Sequence, residues 1–324
     1  MQSHWMQMTA AHCQLEQRDI SVPQPGPQQL LVRMRAASLN RGEFVAGHGL
    51  TQAGEWKAAG TEGAGEVVAA GSAVQGFAPG TRVMGRCAGA FAEYALIEAA
   101  EAMVVPDALS WEEAASLPLT FLVAYDMLVL QGRLKAGEWL LVNGVSSGVG
   151  VAALQLGKAL GARVIGTSGS ADKLARPKPL GLDVGLCTRA ADFAPAVLEA
   201  TGQHGADLVV NTVGGSVFAE DVRAMAFEGR LATVGYVDGV LHADIDLQAL
   251  HARRLAVFGV SNKLRTKAQR AAAIPRFVAE VLPHFAAGRL RVQIDRVYAF
   301  GQLAEAKAHM ESGGHVGKIV LRIP

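Results

Sequence analysis

The sequence predicts an α/β protein with two parts, one β-rich and one a doubly wound parallel sheet. Three observations carry this. The first third consists of short apolar segments separated by glycine and proline. Through the middle third, strand patterns alternate with helix patterns, which implies right-handed crossovers and parallel pairing. One strand-to-helix junction carries a glycine motif of the kind that cradles phosphates. The 324 residues exceed the usual size of one compact core, so two domains are expected.

In the β-rich part, Leu30-Leu31-Val32-Arg33-Met34-Arg35 is the first strand pattern, following a Pro/Gly-rich turn at 23–27. Further short strands are expected over 63–70, 81–84 and 91–97, the spacing of a small barrel or sandwich. Ser110-Trp111-Glu112-Glu113 is a capping box and opens a helix. In the middle part, strands are expected over 138–142, 163–166, 207–210, 229–235 and 254–259. Helices are expected over 149–160 and 217–227. Arg176-Pro177-Lys178-Pro179 breaks the helix between the second and third strands. In the tail, Thr266-Lys267-Ala268-Gln269 is a second capping box, and Pro275 and Pro283 interrupt the helix it opens. A terminal strand, Lys318-Ile319-Val320-Leu321, is placed to rejoin the β-rich part.

Composition narrows the function. Thirty basic residues face 29 acidic ones, with no basic block, so nothing calls for nucleic acid or an anionic membrane. Cys13, Cys87 and Cys187 are few, scattered and odd in number, which fits a reducing compartment. The first residues lack the basic and apolar regions of a secretory signal. The longest apolar stretch, 117–130, is short of a membrane span and carries Asp126. A cytoplasmic protein is expected.

Gly148-Val149-Gly150-Val151-Ala152-Ala153 matches G-x-G-x-x-A, and its context gives it weight: it follows a strand, opens an apolar helix and precedes a second strand. The first glycine permits a tight turn, the second lets backbone approach a pyrophosphate, and Ala153 lets helix and sheet pack closely. The helix start then offers free amides and a positive dipole end. At the tip of the next strand an NAD site places an acid about 20 residues beyond the first glycine. The chain instead reads Gly166-Thr167-Ser168-Gly169-Ser170-Ala171-Asp172-Lys173. Small hydroxyl residues leave room for a 2′-phosphate, with Lys173 or Arg176 to supply charge, so NADPH is expected. Asp172 is the competing partner, for a ribose.

These residues resemble the medium-chain dehydrogenase/reductases, specifically the zinc-free quinone oxidoreductase or zeta-crystallin-like branch. The likeness runs through Arg35-Ala36-Ala37-Ser38-Leu39-Asn40, Gly60-Thr61-Glu62-Gly63-Ala64-Gly65-Glu66-Val67 and Ala115-Ser116-Leu117-Pro118-Leu119-Thr120. It continues through 143–150, Val213-Gly214-Gly215 and Gly317-Lys318-Ile319-Val320-Leu321. The resemblance implies a GroES-like catalytic domain over 1–119 and 264–324 and a Rossmann NADP-binding domain over 120–263. It implies substrate in the cleft between them, and a dimer or other homo-oligomer.

For the site, the resemblance implies cofactor contacts from Asn40, Ser147, Gly148, Val149, Gly150, Ser168, Ser170 and Lys173. Val213, Gly235, Tyr236, Ser261 and Asn262 complete the set. It also implies no metal: zinc-dependent relatives carry Cys where Asn40 stands and His where Thr61 stands, and no four-cysteine lobe is present. Of the nine histidines, His48 and His315 are the conceivable ligands. Asn40 is the expected catalytic donor to a carbonyl or enolate oxygen. Tyr125 is the expected proton donor, with Glu43, His48 and solvent as alternatives. Val45 and Thr51 stand where some quinone reductases have aromatics. Phe121 and Val123 replace a Gly and a Thr of the usual motif, so the acceptor is left between a quinone and another conjugated carbonyl. The implied reaction is NADPH-dependent, metal-independent reduction of such an acceptor. The alternatives are an enoyl or alkenal reductase and a cofactor-binding structural or RNA-binding protein.

Overall fold

The computed structural model describes residues 1–9, 12–44 and 54–324. The first strands are β1 (Gln2–Met8), β2 (Cys13–Asp19), β3 (Gln29–Ser38), β4 (Lys57–Ala58), β5 (Glu62–Ala70), β6 (Arg82–Ala88) and β7 (Tyr94–Val104). Six more follow: β8 (Trp139–Asn143), β9 (Arg163–Ser168), β10 (Val184–Cys187), β11 (Ala206–Asn211), β12 (Met225–Thr233) and β13 (Ala256–Gly259). The tail adds β14 (Ile294–Ala299) and β15 (Lys318–Arg322). The chain divides into two compact units, Met1–Leu122 with Asn262–Pro324, and Val123–Ser261.

In the first unit, β2, β1 and β4 form a small sheet, and a larger one runs β14-β15-β3-β5-β6-β7. β3 also pairs with β7, so β3, β5, β6 and β7 close into a ring of neighbours, which leaves those four strands without an open edge. Leu30, Val32 and Met34 of β3 point into this ring, and Phe91, Ile97 and Leu321 pack in the same core. The terminal strand joins here, with Val320, Leu321 and Arg322 of β15 antiparallel to Ser38, Ala37 and Ala36 of β3. Both capping boxes form: Ser110 Oγ accepts from the Glu113 amide at 3.2 Å, and Thr266 Oγ1 from the Gln269 amide at 3.2 Å. The tail helix is broken into Lys267–Ala271, Ile274–Glu280 and Leu282–Ala286, with Pro275 and Pro283 in the first turns of the last two.

The second unit is one parallel sheet in the order β10-β9-β8-β11-β12-β13. Counted from β8 this is 3-2-1-4-5-6, with the reversal of winding between β8 and β11. Trp139 and Leu141 of β8, Ile165 of β9, Val209 of β11 and Leu231 of β12 fill the core under its helices. The double proline at 177–179 limits the helix after β9 to Ala171–Ala175, followed by a single tight turn, Lys178–Leu180.

Three differences from the sequence reading have local causes. The helix expected over 217–227 covers only Phe218–Ala224, because Met225 turns extended (ψ 150°) and pairs with Ala206. β1 and β2 replace an N-terminus that the sequence left unassigned. Within the apolar stretch 117–130 the helix widens over Asp126–Gln131, where the Gly132 amide reaches back five residues to the Met127 carbonyl. Among the described residues no helix is long and apolar enough to cross a membrane.

Candidate functional site

Two polar constellations stand out, one in each unit. In the second unit, β8 ends at Asn143 and the chain turns sharply at Gly144 (φ 74°). A Cβ there would meet Thr212 Oγ1 at 2.6 Å, so this glycine, rather than Gly148, makes the tight turn. Ser147 caps the helix Gly148–Ala159, its Oγ accepting from the Gly150 amide at 3.0 Å. Gly150 is buried, and a Cβ on it would lie 2.3 Å from the Gly144 carbonyl oxygen, so the turn can close onto the helix only without one. Among the described residues no acceptor meets the Gly148 and Val149 amides, both half-buried at the helix start.

A buried network holds the sheet end that carries this turn. Asn143 accepts from Thr167 Oγ1 at 2.9 Å and donates to Asp221. Thr212 Oγ1 donates to the Asn143 carbonyl at 2.7 Å. Asn211 Oδ1 accepts from the amides of Val213 (2.9 Å) and Gly214 (2.8 Å). Burial drives the Asp221 carboxyl well above the ordinary carboxylate range, against the opposing pull of its bonds from Asn143 and Asn211.

The expected cofactor residues of this unit gather along one edge. Ser147, Gly148, Val149 and Gly150 follow β8; Ser168 ends β9, with Ser170 and Lys173 just beyond. Val213 follows β11, Gly235 and Tyr236 follow β12, and Ser261 follows β13, with Asn262 next in the chain. These are the carboxyl ends of parallel strands, around the point where the winding reverses, which is where open α/β sheets bind ligands. Asp172 lies exposed in the first turn of Ala171–Ala175.

Sequence reasoning missed Arg189, which lies just past the end of β10. Its Nε donates to the Gly169 carbonyl at 3.1 Å, so the guanidinium lies at the tip of β9 beside Ser168 and Ser170. No local motif marks it; only the β10–β9 pairing brings it there.

In the first unit, Asn40 sits in a cluster drawn from β3, β5, β15 and the turn Arg41–Phe44. Glu62 is fully buried, and its Oε1 accepts from Ser38 Oγ (2.6 Å), Asn40 Nδ2 (2.9 Å) and Lys318 Nζ (2.9 Å). Its Oε2 accepts from the Leu119 amide at 2.7 Å. Lys318 Nζ also donates to Asn40 Oδ1 at 2.8 Å and to the Leu39 carbonyl at 3.0 Å. Asn40 Nδ2 donates as well to Glu43 Oε1 at 2.9 Å, and Thr61 Oγ1 donates to the same oxygen. Both amide hydrogens of Asn40 are therefore directed at carboxylates. Burial raises the Glu43 carboxyl to about 7, against the lowering effect of its bonds from Thr61 and Asn40.

The cluster does not fit a metal. Glu62 is taken up by Lys318 and three further donors. Burial, with Glu62 and Glu43 nearby, pushes the Cys87 thiol up to about 12. Among the described residues no three His, Cys, Asp or Glu side chains are grouped to hold an ion. Tyr125 is 1% exposed. Val45, His48 and Thr51 lie outside the described residues.

The chain matches two known sequence families in order: the alcohol dehydrogenase GroES-like domain over residues 26–107, and zinc-binding dehydrogenase over residues 148–277. A solved quinone oxidoreductase from Pseudomonas syringae is 30% identical, with a TM-score of 0.88 and complete coverage of both chains. A mycobacterial protein solved in complex with NADPH is 28% identical, with a TM-score of 0.90 over 99% of this chain and 100% of that one. Among curated proteins, a phenolphthiocerol/phthiocerol polyketide synthase protein of Mycobacterium tuberculosis is 32% identical over 96% of this chain. This chain spans only 14% of that protein's length.

Proposed function

Because the chain belongs to the medium-chain dehydrogenase/reductase family, a family of oxidoreductases, we propose that it is an NADPH-dependent reductase of quinones or other conjugated carbonyl compounds. The observation that carries the cofactor choice is the tip of β9. Ser168, Gly169 and Ser170 present no acid there, and the Arg189 guanidinium is anchored beside them. A 2′-phosphate suits such a site, with Lys173 as second cation, and a bare ribose diol does not. The two amides of Gly148 and Val149 and the helix behind them suit the pyrophosphate. The similar mycobacterial protein was solved with NADPH, which supports the same reading.

Bound NADPH supplies a hydride. The chain's own residues bind and orient, and stabilise charge on the acceptor oxygen. We assign that last task to Asn40, which turns one amide hydrogen from Glu43 to the substrate oxygen while Lys318 fixes the other end of its amide. With Tyr125 in the core, Glu43 is the better-placed proton source. Its carboxyl, raised to about 7, keeps its proton in about half the molecules at neutral pH, and the Thr61 hydroxyl, which donates to it, turns to accept that proton and pass its own outward. The acceptor gains one hydride and one proton, a quinone becoming a hydroquinone or an enone a saturated ketone. Glu43 regains its proton from solvent.

A second reading is favoured by the polyketide synthase match: the acceptor is an enoyl thioester. The cofactor claim is tested by fluorescence titration with NADPH and NADH. Arg189→Ala is expected to weaken NADPH by roughly tenfold or more and leave NADH nearly unchanged. Lys173→Ala is expected to act in the same direction. Equal loss for both cofactors would move the phosphate site elsewhere.

A further inference from the structure

The first unit contains a cavity of about 540 Å³, the size of a small-molecule site. It lies beside the Asn40 cluster, since Thr61, the donor to Glu43, is part of its wall. Three cationic side chains, Arg86, Lys267 and Arg270, and two carboxylates, Glu98 and Glu101, line it among the described residues. Both carboxylates are taken. Lys267 Nζ lies 2.6 Å from Glu98, which also accepts from Gln29 at 2.8 Å. Arg270 grips Glu101 with Nε at 3.1 and 3.2 Å and with a terminal nitrogen at 2.9 Å.

Arg86 is left over. It rises from β6, and among the described residues nothing hydrogen-bonds or ion-pairs with its guanidinium. It is half-buried, and desolvation, followed by the nearby Arg270 charge, weakens its hold on its proton. Glu101 and Glu43 act on it favourably from further off, but no carboxylate among the described residues is hydrogen-bonded to it, so a guanidinium withdrawn from water here lacks the direct partner that such a group ordinarily has. The rest of the wall includes Ala58, Ala88, Ala92 and Leu96, a surface for an apolar body.

We propose that this cavity is a carboxylate subsite, taking an amphipathic monocarboxylate whose acid group pairs with the Arg86 fork and whose apolar body lies along the alanine wall. The ligand is the acidic end of the conjugated carbonyl substrate; its role rests on the reductase reading above, and its chemistry on the cavity alone. One free guanidinium matches one carboxylate in a two-pronged bond. A dianionic phosphate would place a second charge against two carboxylates that are already paired.

The test is calorimetric titration of the whole chain, without NADPH, using trans-cinnamate beside trans-cinnamamide, which has the same body without the charge. Cinnamate is expected to bind roughly tenfold tighter than the amide. Arg86→Met is expected to remove that preference while leaving NADPH affinity and the melting temperature near wild type. The proposal is overturned if cinnamate does not bind, if acid and amide bind alike, or if Arg86→Met keeps the preference. The wild-type comparison needs no variant and stands even if Arg86→Met folds poorly. NADPH-driven reduction of a neutral enone is a separate readout, so the reductase reading and the subsite can fail independently.

Discussion

Lys318 and Glu62 form an ion pair at 2.9 Å with side chains 6% and 0% exposed, so each charge depends on the other for its place in the core. Removing one partner strands the other. Lys318→Met is expected to cost roughly 3–5 kcal/mol, measured by denaturant unfolding. Glu43 acts through pH. Its folded carboxyl is raised from the ordinary 4.5 to about 7, so the folded state holds a proton that the unfolded state has released. Its stabilising contribution is whole below about 4.5 and is lost as pH rises to about 7, by roughly 3 kcal/mol in all. Glu43→Gln is expected to flatten that part of the stability–pH curve; an unchanged slope would mean that Glu43 is ionised in the folded state. The family resemblance pointed to Asn40, but nothing in the sequence pointed to its surroundings. Lys318 and Glu62 are separated by more than 250 positions, and only β15 lying beside β3 brings them together.

Among elements, the junction of β8 with Gly148–Ala159 concentrates the most chemistry in the fewest residues. Ser147→Ala removes the cap on Gly150 and is expected to cost about 1 kcal/mol of stability. Gly150→Ala puts a methyl against the Gly144 carbonyl and forces the turn open. NADPH affinity is expected to fall by roughly tenfold or more, a loss of about 1.4 kcal/mol or greater, as read by the same titration. This junction was legible because its signals are local: a strand, a glycine turn and an apolar helix within a short window. The roles inside it were less so. Gly144 turns the chain where Gly148 was expected to, since G-x-G-x-x-A records spacing and not φ. Arg189 could not be found by spacing, because a different strand carries it to the tip of β9. β1 and β2 escaped notice for a related reason: β2 is mostly polar, and its pairing with β1, not its pattern, makes it a strand.

At the scale of the molecule, each unit has its own core, and the family follows from the two together, a GroES-like β part and a 3-2-1-4-5-6 sheet. The doubly wound sheet was readable because βα alternation repeats along the sequence. The return of the tail to the first unit was readable from an isolated terminal strand. The acceptor has no such repeated signal, and the cavity that Arg86 and Thr61 line is assembled only in the folded first unit. The most direct test of the central claim is steady-state reduction of a quinone and a neutral enone, with NADPH and NADH in parallel. Turnover of at least one acceptor, with kcat/KM roughly tenfold or more higher for NADPH than for NADH, is the result predicted here. No turnover with either acceptor, or a preference for NADH, would contradict it.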